Sequence, residues 1–368
     1  VSSPASPDAS GDAIAPGARI GILGGGQLGR MTALAAARLG YRTVVLCPEP
    51  GCPASQVTDR AITAPYDDPD ALDRLAAAAD AVTLEFENVP AEALDWLAGR
   101  VPVRPGAAAL RVSQDRLAEK RFARANGVDT ADFEPIETAA DLAAAFDRLG
   151  GPLIVKTRRF GYDGKGQVRA EARDGAAAAV EALAGAPAIA ERVVDFEREV
   201  SVLVARGIDG ATAVYDPVEN RHERHILRTT IAPAALPPAL ADRARDIGRR
   251  LAGALDLAGL LAIELFVTRD GGLLFNEMAP RPHNSGHWTL DACAVSQFEM
   301  LVRAVCGLPL GSPERHADAV MTNLLGDEVD DWRRLMAEPN ACLHLYGKAE
   351  ARPGRKMGHV TRLAPRRD

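Results

Sequence analysis

Two carboxylates set into facing apolar strands constrain this chain more tightly than any other feature of its 368 residues. Ala262 to Thr268 and Leu273 to Met278 are short runs rich in Ile, Leu, Phe and Val, joined by Arg269-Asp270-Gly271-Gly272, and they read as a β-hairpin. With Asp270 and Gly271 as the two turn residues, Glu264 falls directly opposite Glu277. Cross-strand partners lie roughly 4.5–5.5 Å apart at Cβ, and like charges there repel unless something positive stands between them. Magnesium takes carboxylate oxygens and completes its octahedron with water and substrate phosphates. The pair, with Asn276 beside it, therefore predicts a metal site and a nucleotide close by. A register slipped by one residue would part the two acids.

Composition excludes several classes. With 47% hydrophobic and 25% charged residues the chain reads as an ordinary globular protein of two or three domains. A net charge of -7 opposes a nucleic-acid or membrane-surface partner, so any anionic ligand must be held by a local cluster. Cys47, Cys52, Cys293, Cys306 and Cys342 are scattered, with no CxxC, which points away from a disulfide framework or zinc and toward a reducing cytoplasm. No apolar run approaches a transmembrane helix and no signal peptide is visible. Val1 to Ala18, rich in Ser, Pro, Ala and Asp, reads as a disordered leader.

Arg19 to Leu23 is a strand running into Gly24-Gly25-Gly26-Gln27-Leu28-Gly29, and helical spacing follows from Arg30 to Leu39. Glycines 24, 26 and 29 satisfy GxGxxG, and Glu49 follows about 20 residues on, as a dinucleotide site would want. The amides at such a helix start suit any phosphate-bearing ligand, and a tight turn with no ligand has the same spacing. Glu85 and Asn88 close the strand Ala81 to Leu84, at the carboxyl end where open α/β sheets bind ligands, and a boundary falls near Arg111. From Ser113 a helix carries Asp115, Arg116, Lys120 and Arg124 and stops at Gly127.

Pro152 to Thr157 is a strand that buries Lys156 among apolar neighbours, which requires an anion. The loop Arg158 to Gly166 has three glycines, and Lys165 is followed by glycine, so it is no Walker A loop. A glycine-hinged cationic loop suits a lid over phosphates. Glu191 and Glu199 fall at strand positions, whereas Arg221 to His225 reads as a solvated turn. Ala239 to Leu257 is an amphipathic helix, Pro280 to Trp288 a rigid polar loop, and Ser296 to Cys306 a helix. Near the C-terminus Pro353-Gly354 predicts a tight turn that aims Arg352, Arg355 and Lys356 at one place, a phosphate clamp in an acidic protein.

A buried strand lysine, a glycine-rich lid, a pair of strand glutamates and an acidic hairpin, in that order, resemble the ATP-grasp ligases from about Arg116 to Gly307. More specifically, GGGQLGRM at Gly24 to Met31, EFEN at Glu85 to Asn88, GYDGKGQ at Gly161 to Gln167, NEMAPRPHNSGHWT at Asn276 to Thr289 and RPGRKMGH at Arg352 to His359 resemble the 5-(carboxyamino)imidazole ribonucleotide synthases of purine biosynthesis. The resemblance covers all but the leader and the last few residues. It implies a mixed α/β and α+β chain: a Rossmann-like α/β domain over 19–111, an ATP-grasp fold over 112–310 with a lid sub-domain at about 151–197, and a small β-rich C-terminal domain over 311–368.

The same resemblance implies ATP, bicarbonate and 5-aminoimidazole ribonucleotide as substrates, Mg2+ as the metal, and a homodimer. Arg116, Lys156, Glu191, Val194, Glu199 and His222 would hold the nucleotide, together with Asn276, Glu277 and the lid residues Gly161, Gly164, Lys165, Gly166 and Gln167. Glu264, Glu277 and Asn276 would hold the metal. Gln27, Leu28, Glu85, Asn284, Ser285, Arg352, Arg355 and Lys356 would hold the ribonucleotide, and Tyr162, Asp163, Arg281, His283 and Lys356 would act in catalysis. Three other readings stay open on residues alone. They are an ATP-grasp ligase for a different phosphorylated amine, an NAD-dependent oxidoreductase built on Gly24 to Gly29, and a non-catalytic nucleotide-binding module.

Overall fold

The glycine turn leads from β1 (Arg19–Leu23) into the helix Gln27–Arg38, and Gly24 takes the left-handed φ of +112° that the sharp reversal demands. In the computed structural model, which describes residues 13–161 and 164–367, β1 pairs in parallel with β2 (Arg42–Cys47). Adding β3 (Arg60–Thr63) and β4 (Ala81–Leu84) gives the strand order β3-β2-β1-β4. Parallel strands require crossover helices, and Leu72, Leu75, Leu94 and Leu97 from those helices pack with Leu23, Val44, Leu46 and Leu84 in one core.

Residues 13–18 correct the expectation of a loose leader. The Ile14 amide donates to the Cys306 carbonyl at 2.8 Å, the Ile14 carbonyl accepts from the Tyr41 hydroxyl at 2.6 Å, and the Gly17 amide donates to Gly40 at 2.9 Å. Ile14 and Ala18 pack on the core beside the helix Gln297–Val305, and this burial of apolar surface outweighs a local composition that reads as loose chain. The leader's residues 1–12 lie outside the described residues.

A second sheet is antiparallel, in the order β5-β8-β6-β7, from β5 (Phe133–Ile136), β6 (Leu153–Thr157), β7 (Gln167–Ala170) and β8 (Ala188–Arg192). The helix Ala139–Leu149, opened by a capping box between Thr138 and Asp141, covers it together with Ala176–Ala182. Because β5 is hydrogen-bonded to β8, the lid unit starts near residue 133 and not at 151.

The third sheet is the largest and carries the acidic hairpin. Its strands are β9 (Phe196–Arg206), β10 (Thr212–Val214), β11 (Val218–Glu223), β12 (Ile226–Ala232), β13 (Gly259–Thr268), β14 (Leu273–Ala279), β15 (Ala317–Leu325), β16 (Ala341–Leu345) and β17 (Lys356–Pro365). They run in the order β14-β13-β9-β11-β12-β15-β17-β16, with β10 on β9. The β-rich C-terminal stretch therefore continues the sheet of the acidic hairpin: β15 docks on β12, whose edge would otherwise expose unpaired amides. Both faces of β13 are covered, so Leu260 and Ala262 join one core while Leu261, Ile263 and Leu265 join the other.

Candidate active site

The three sheets meet around one cavity of ≈1070 Å³, and β13 sends Ala262, Glu264 and Phe266 into it. Glu264 does stand opposite Glu277, by a route the sequence did not suggest. The hairpin turns through three residues, Arg269 to Gly271, with the Gly271 amide bonded to the Thr268 carbonyl and Gly271 at φ +81°. That shifts the register by one at Val267 and Leu273. A bulge between Glu264 and Leu265 then leaves Asn276 as the extra residue and restores the pairing of the two acids. The bulge also turns Asn276 into the cavity beside Glu277, which a regular strand would send to opposite faces.

The two acids are held differently. Glu277 Oε2 accepts from Arg116 Nη1 at 2.8 Å, and although burial pushes its pKa up, that guanidinium brings it down to about 2. Glu264 lacks such a partner: burial first, then the charge of Glu277, raise its carboxyl to about 8. His283 Nε2 lies 3.4 Å from Glu264 Oε1, and burial, then Arg281, pull that imidazole down to about 3. Asn276 Oδ1 is buried without a hydrogen-bond partner. Two carboxylates and an orphaned amide oxygen form an all-oxygen donor set that fits a hard divalent cation such as Mg2+. Glu199 and His222 extend it, since one ligand atom from each, with one from Glu264, lie within 4.8 Å of one another.

His222 is where the charged-turn reading fails. Only Arg224 and His225 form the turn, both at positive φ, while His222 sits in β11. In β11 it alternates with exposed Arg221 and Glu223, on the face of buried Asn220, and its ring lines the cavity with Nδ1 3.1 Å from Glu199 Oε2; the bulge opposite leaves Arg228 of β12 as the extra residue. Burial lowers the His222 pKa, but the Glu199 carboxylate beside it outweighs this and the net shift is upward.

At the other end, Glu85 fills the glycine turn. Its carboxylate accepts from the Gly26 amide at 2.8 Å and the Gly29 amide at 3.2 Å. A Cβ at Gly24 would lie 2.5 Å from Glu85 Cγ, so the turn and the acid are fitted to each other. The amides that would cradle a dinucleotide pyrophosphate are thus already occupied by an internal anion, against the oxidoreductase reading. Gln27 and Leu28 line the cavity beside this turn.

Of the remaining expected residues, Arg116, Lys156, Gly161, Gly164, Lys165, Gly166, Gln167, Glu199, Arg281, His283, Asn284, Arg355 and Lys356 line the same cavity. Tyr162 and Asp163 lie outside the described residues. Glu191, Val194, Ser285 and Arg352 do not line it. Glu191 is consumed by cations, with Lys120 Nζ at 3.2 Å and Lys156 Nζ at 3.1 Å on its Oε2. Arg352 pairs with its exposed neighbour Glu350 at 2.5 Å, and the cations of this stretch that line the cavity are Lys348, Arg355 and Lys356.

Sequence reasoning passed over Lys120, Glu119, Glu87 and Lys348. Lys120 is fully buried, and its signal was its place in the apolar stripe Leu117, Lys120, Ala123 of the helix Arg116–Ala125. Glu119 receives the Met278 amide at 2.6 Å and so pins β14 to that helix. Glu87 holds the Arg281 guanidinium; burial pushes its carboxyl up, and the arginine more than reverses the shift. Phe196 and Phe266 stack with ring centroids 4.7 Å apart on the cavity wall near Ile154.

Three family models match in tandem: a ribonucleotide synthetase preATP-grasp domain over residues 18–114, an ATP-grasp domain over 121–298, and a phosphoribosylaminoimidazole carboxylase C-terminal domain over 319–368. The N5-carboxyaminoimidazole ribonucleotide synthase of Brucella melitensis is 55% identical over 353 residues, 95% of this chain and 98% of that protein. The chain belongs to the N5-carboxyaminoimidazole ribonucleotide synthase family. The synthase of Bacillus subtilis is 44% identical over 95% of this chain and 92% of its own length. Among solved synthases, an ADP complex superposes with a TM-score of 0.92 at 43% identity, covering 96% of this chain and 94% of that one. The Aspergillus clavatus synthase with ADP and 5-aminoimidazole ribonucleotide gives a TM-score of 0.88 at 33% identity, over 95% of this chain and 94% of its own. Among the described residues no helix is long and apolar enough to cross a membrane.

Proposed function

We propose that this synthase-family chain carboxylates 5-aminoimidazole ribonucleotide with bicarbonate at the expense of ATP. Carboxyphosphate is the activated species, and N5-carboxyaminoimidazole ribonucleotide, ADP and phosphate are the products. The observation that carries the reading is one cavity lined by two sets of cations. Arg116 and Lys156 act on Glu277, Lys348, Arg355 and Lys356 come from the C-terminal stretch, and Glu264, opposite Glu277, also feels Lys356. Such a cavity suits two phosphate-bearing substrates.

The stacked pair Phe196 and Phe266, near Ile154, offers an apolar slot for the adenine. Lys156 and Arg116 would neutralise its phosphates, and Glu199 would take the ribose hydroxyls. Glu191 and Val194, outside the cavity lining, would serve the adenine edge through β8 and the backbone that follows it. Glu264, Glu277 and Asn276 would hold Mg2+, which when bound neutralises charge on the phosphoryl group being transferred.

The ribonucleotide phosphate would lie on Arg355, Lys356 and Lys348, with Gln27, Leu28, Glu85 and Asn284 around the sugar and base. Carboxyphosphate hydrolyses readily, so water must be excluded. The loop Gly161 to Gln167 serves as lid, with Gly164 at φ +79° and Gly166 at φ +71°, and would carry Tyr162 and Asp163 toward the reacting groups. Arg281, locked by Glu87, and His283 would face the carboxyl group in transfer. A reducing cytoplasm fits the five free cysteines, and a homodimer accords with the family resemblance.

The test is ADP release measured with ATP, Mg2+, bicarbonate and 5-aminoimidazole ribonucleotide, with carbon-13 NMR of the product from labelled bicarbonate. Release should require all four components and the label should appear on the exocyclic amine. Equal turnover with a different phosphorylated amine would instead make the chain another ATP-grasp ligase.

A further inference from the structure

Behind the active site, in the interior of the large sheet, four polar side chains form a single file. Thr230 of β12, Asn220 of β11, Ser201 of β9 and Ser285 of the loop after β14 are all buried, three of them with no accessible surface. Thr230 Oγ1 lies 3.0 Å from Asn220 Oδ1, Asn220 Nδ2 3.0 Å from Ser201 Oγ, and Ser201 Oγ 2.7 Å from Ser285 Oγ. The file ends at His283, whose Nδ1 is 2.8 Å from Ser285 Oγ. Apolar side chains would fill this space without any polar group to satisfy, so a continuous buried file calls for a role beyond packing.

One bond in the file cannot be reversed. The backbone amide of Ser285 donates to His283 Nδ1 at 3.3 Å, and an amide has no lone pair to offer in exchange. Nδ1 is therefore an acceptor, and the ring carries its proton on Nε2. The polarity then runs back along the file. Ser285 Oγ–H donates to Nδ1, Ser201 donates to Ser285, and the Asn220 amide, whose oxygen accepts from the Thr230 hydroxyl, donates to Ser201, so each group has one consistent role. The main chain of His283 is held as firmly: Gln297, fully buried, donates to its carbonyl at 2.8 Å and accepts from its amide at 2.9 Å.

We propose that Ser285, Ser201, Asn220 and Thr230 are positioning residues that hold the His283 ring with Nδ1 as acceptor and its proton on Nε2, and that His283 meets the carboxyl group in transfer as a hydrogen-bond donor and not as a base. The first half stands on the structure alone, and the second rests on the proposed function. A donor fixed in advance at an oxygen that gains charge lowers the barrier without reorganising during the reaction. A base for the incoming amine must then be sought elsewhere.

The experiment begins with nitrogen-15 NMR of histidine-labelled full-length protein, the His283 ring being assigned by its loss in His283→Gln. The expected state is proton on Nε2; a proton on Nδ1 overturns the proposal whatever the enzyme does. Asn220→Asp removes the amide donor and draws the Ser201 hydroxyl toward itself, so the Ser285 hydroxyl is no longer driven onto Nδ1, the backbone amide alone still favours an acceptor there, and the Nδ1–H form should grow, with kcat lower and the KM for ATP unchanged. Ser201→Ala, which interrupts the file, replaces it if that variant does not fold, and an unchanged tautomer in whichever variant folds removes the file from the account. For His283 itself, Gln keeps a donor without a titrating base, so His283→Gln should stay within about tenfold of the parent kcat while His283→Ala loses about 10²–10³-fold. His283→Glu outperforming His283→Gln would make the residue a base. Should the parent fail to turn over 5-aminoimidazole ribonucleotide yet show the Nε2 proton, the function would be wrong and the locked tautomer would stand.

Discussion

The turn at Gly24–Gly29 and the hairpin β13–β14 sit on one cavity and treat charge in opposite ways. In the turn, the amides of Gly26 and Gly29 are closed by Glu85, so a motif known for binding phosphate is satisfied from within the chain. In the hairpin, Glu264 has no arginine or lysine within ion-pair distance among the described residues, His222 and Lys356 compensate it less than burial and Glu277 oppose it, and Asn276 Oδ1 has no hydrogen-bond partner. Folding normally pairs buried polar groups. A ligand-binding group is thus better recognised by what the fold leaves unpaired than by the motif that contains it.

That contrast breaks or sharpens under substitution. The largest effect is expected at the hairpin: Glu277→Gln should abolish ADP release, a loss of about a thousandfold, with the far-UV circular dichroism unchanged. Retained turnover would take Glu277 out of the chemistry. Next is Glu191→Gln, which strips Lys120 and Lys156 of their shared anion and should cost about 3 kcal/mol in urea unfolding at neutral pH. Burial pushes the Glu191 carboxyl up, but Lys120, then Lys156, hold it at about 2 against an ordinary value of 4.5. A depressed carboxyl stabilises the fold above 4.5 and loses that contribution as the pH falls through about 2. The parent should therefore lose stability across that window more steeply than the variant.

Glu85→Ala tests the closed turn. It orphans the Gly26 and Gly29 amides, and the expected cost is about 2 kcal/mol, read from the urea midpoint. Saturable NADH binding to the parent, followed by fluorescence, would mean the turn is open after all. Gly164→Ala should be milder, because a Cβ there would come 2.6 Å from His225 Cβ and the residue stands at φ +79°. Lid closure should suffer by about tenfold in kcat. The smallest effect belongs to Arg352→Ala, which should change the KM for the ribonucleotide by less than about twofold, since that side chain pairs with exposed Glu350. A large change would return Arg352 to the phosphate clamp.

Much of this could be read before any coordinates. Alternating and continuous apolar runs located β1, β4, β6, β9, β13 and β14, and the glycine spacing placed the first helix. The opposition of Glu264 and Glu277 followed from hairpin symmetry, although a three-residue loop and a bulge had to cancel for it to hold. His222 was out of reach because β11 is polar on both faces, Asn220 and His222 inward and Arg221 and Glu223 outward, so its alternation carries no hydrophobic signature. Lys120 was visible as a charge in an apolar stripe, but its partner Glu191 is 71 residues away. Arg352 and Arg355 look alike in the sequence, and only the direction of the turn between them separates one that faces solvent from one that faces the cavity.

By itself, then, the order of residues determined which groups the protein owns and which strands and helices carry them, because hydrophobic period and turn chemistry are local. The tertiary structure alone decided which charges cancel. Glu85, Glu191 and Glu87 find donors or cations in direct contact far away in the chain, whereas Glu264 has no arginine or lysine within ion-pair distance among the described residues, and electrostatic compensation depends on distance in space.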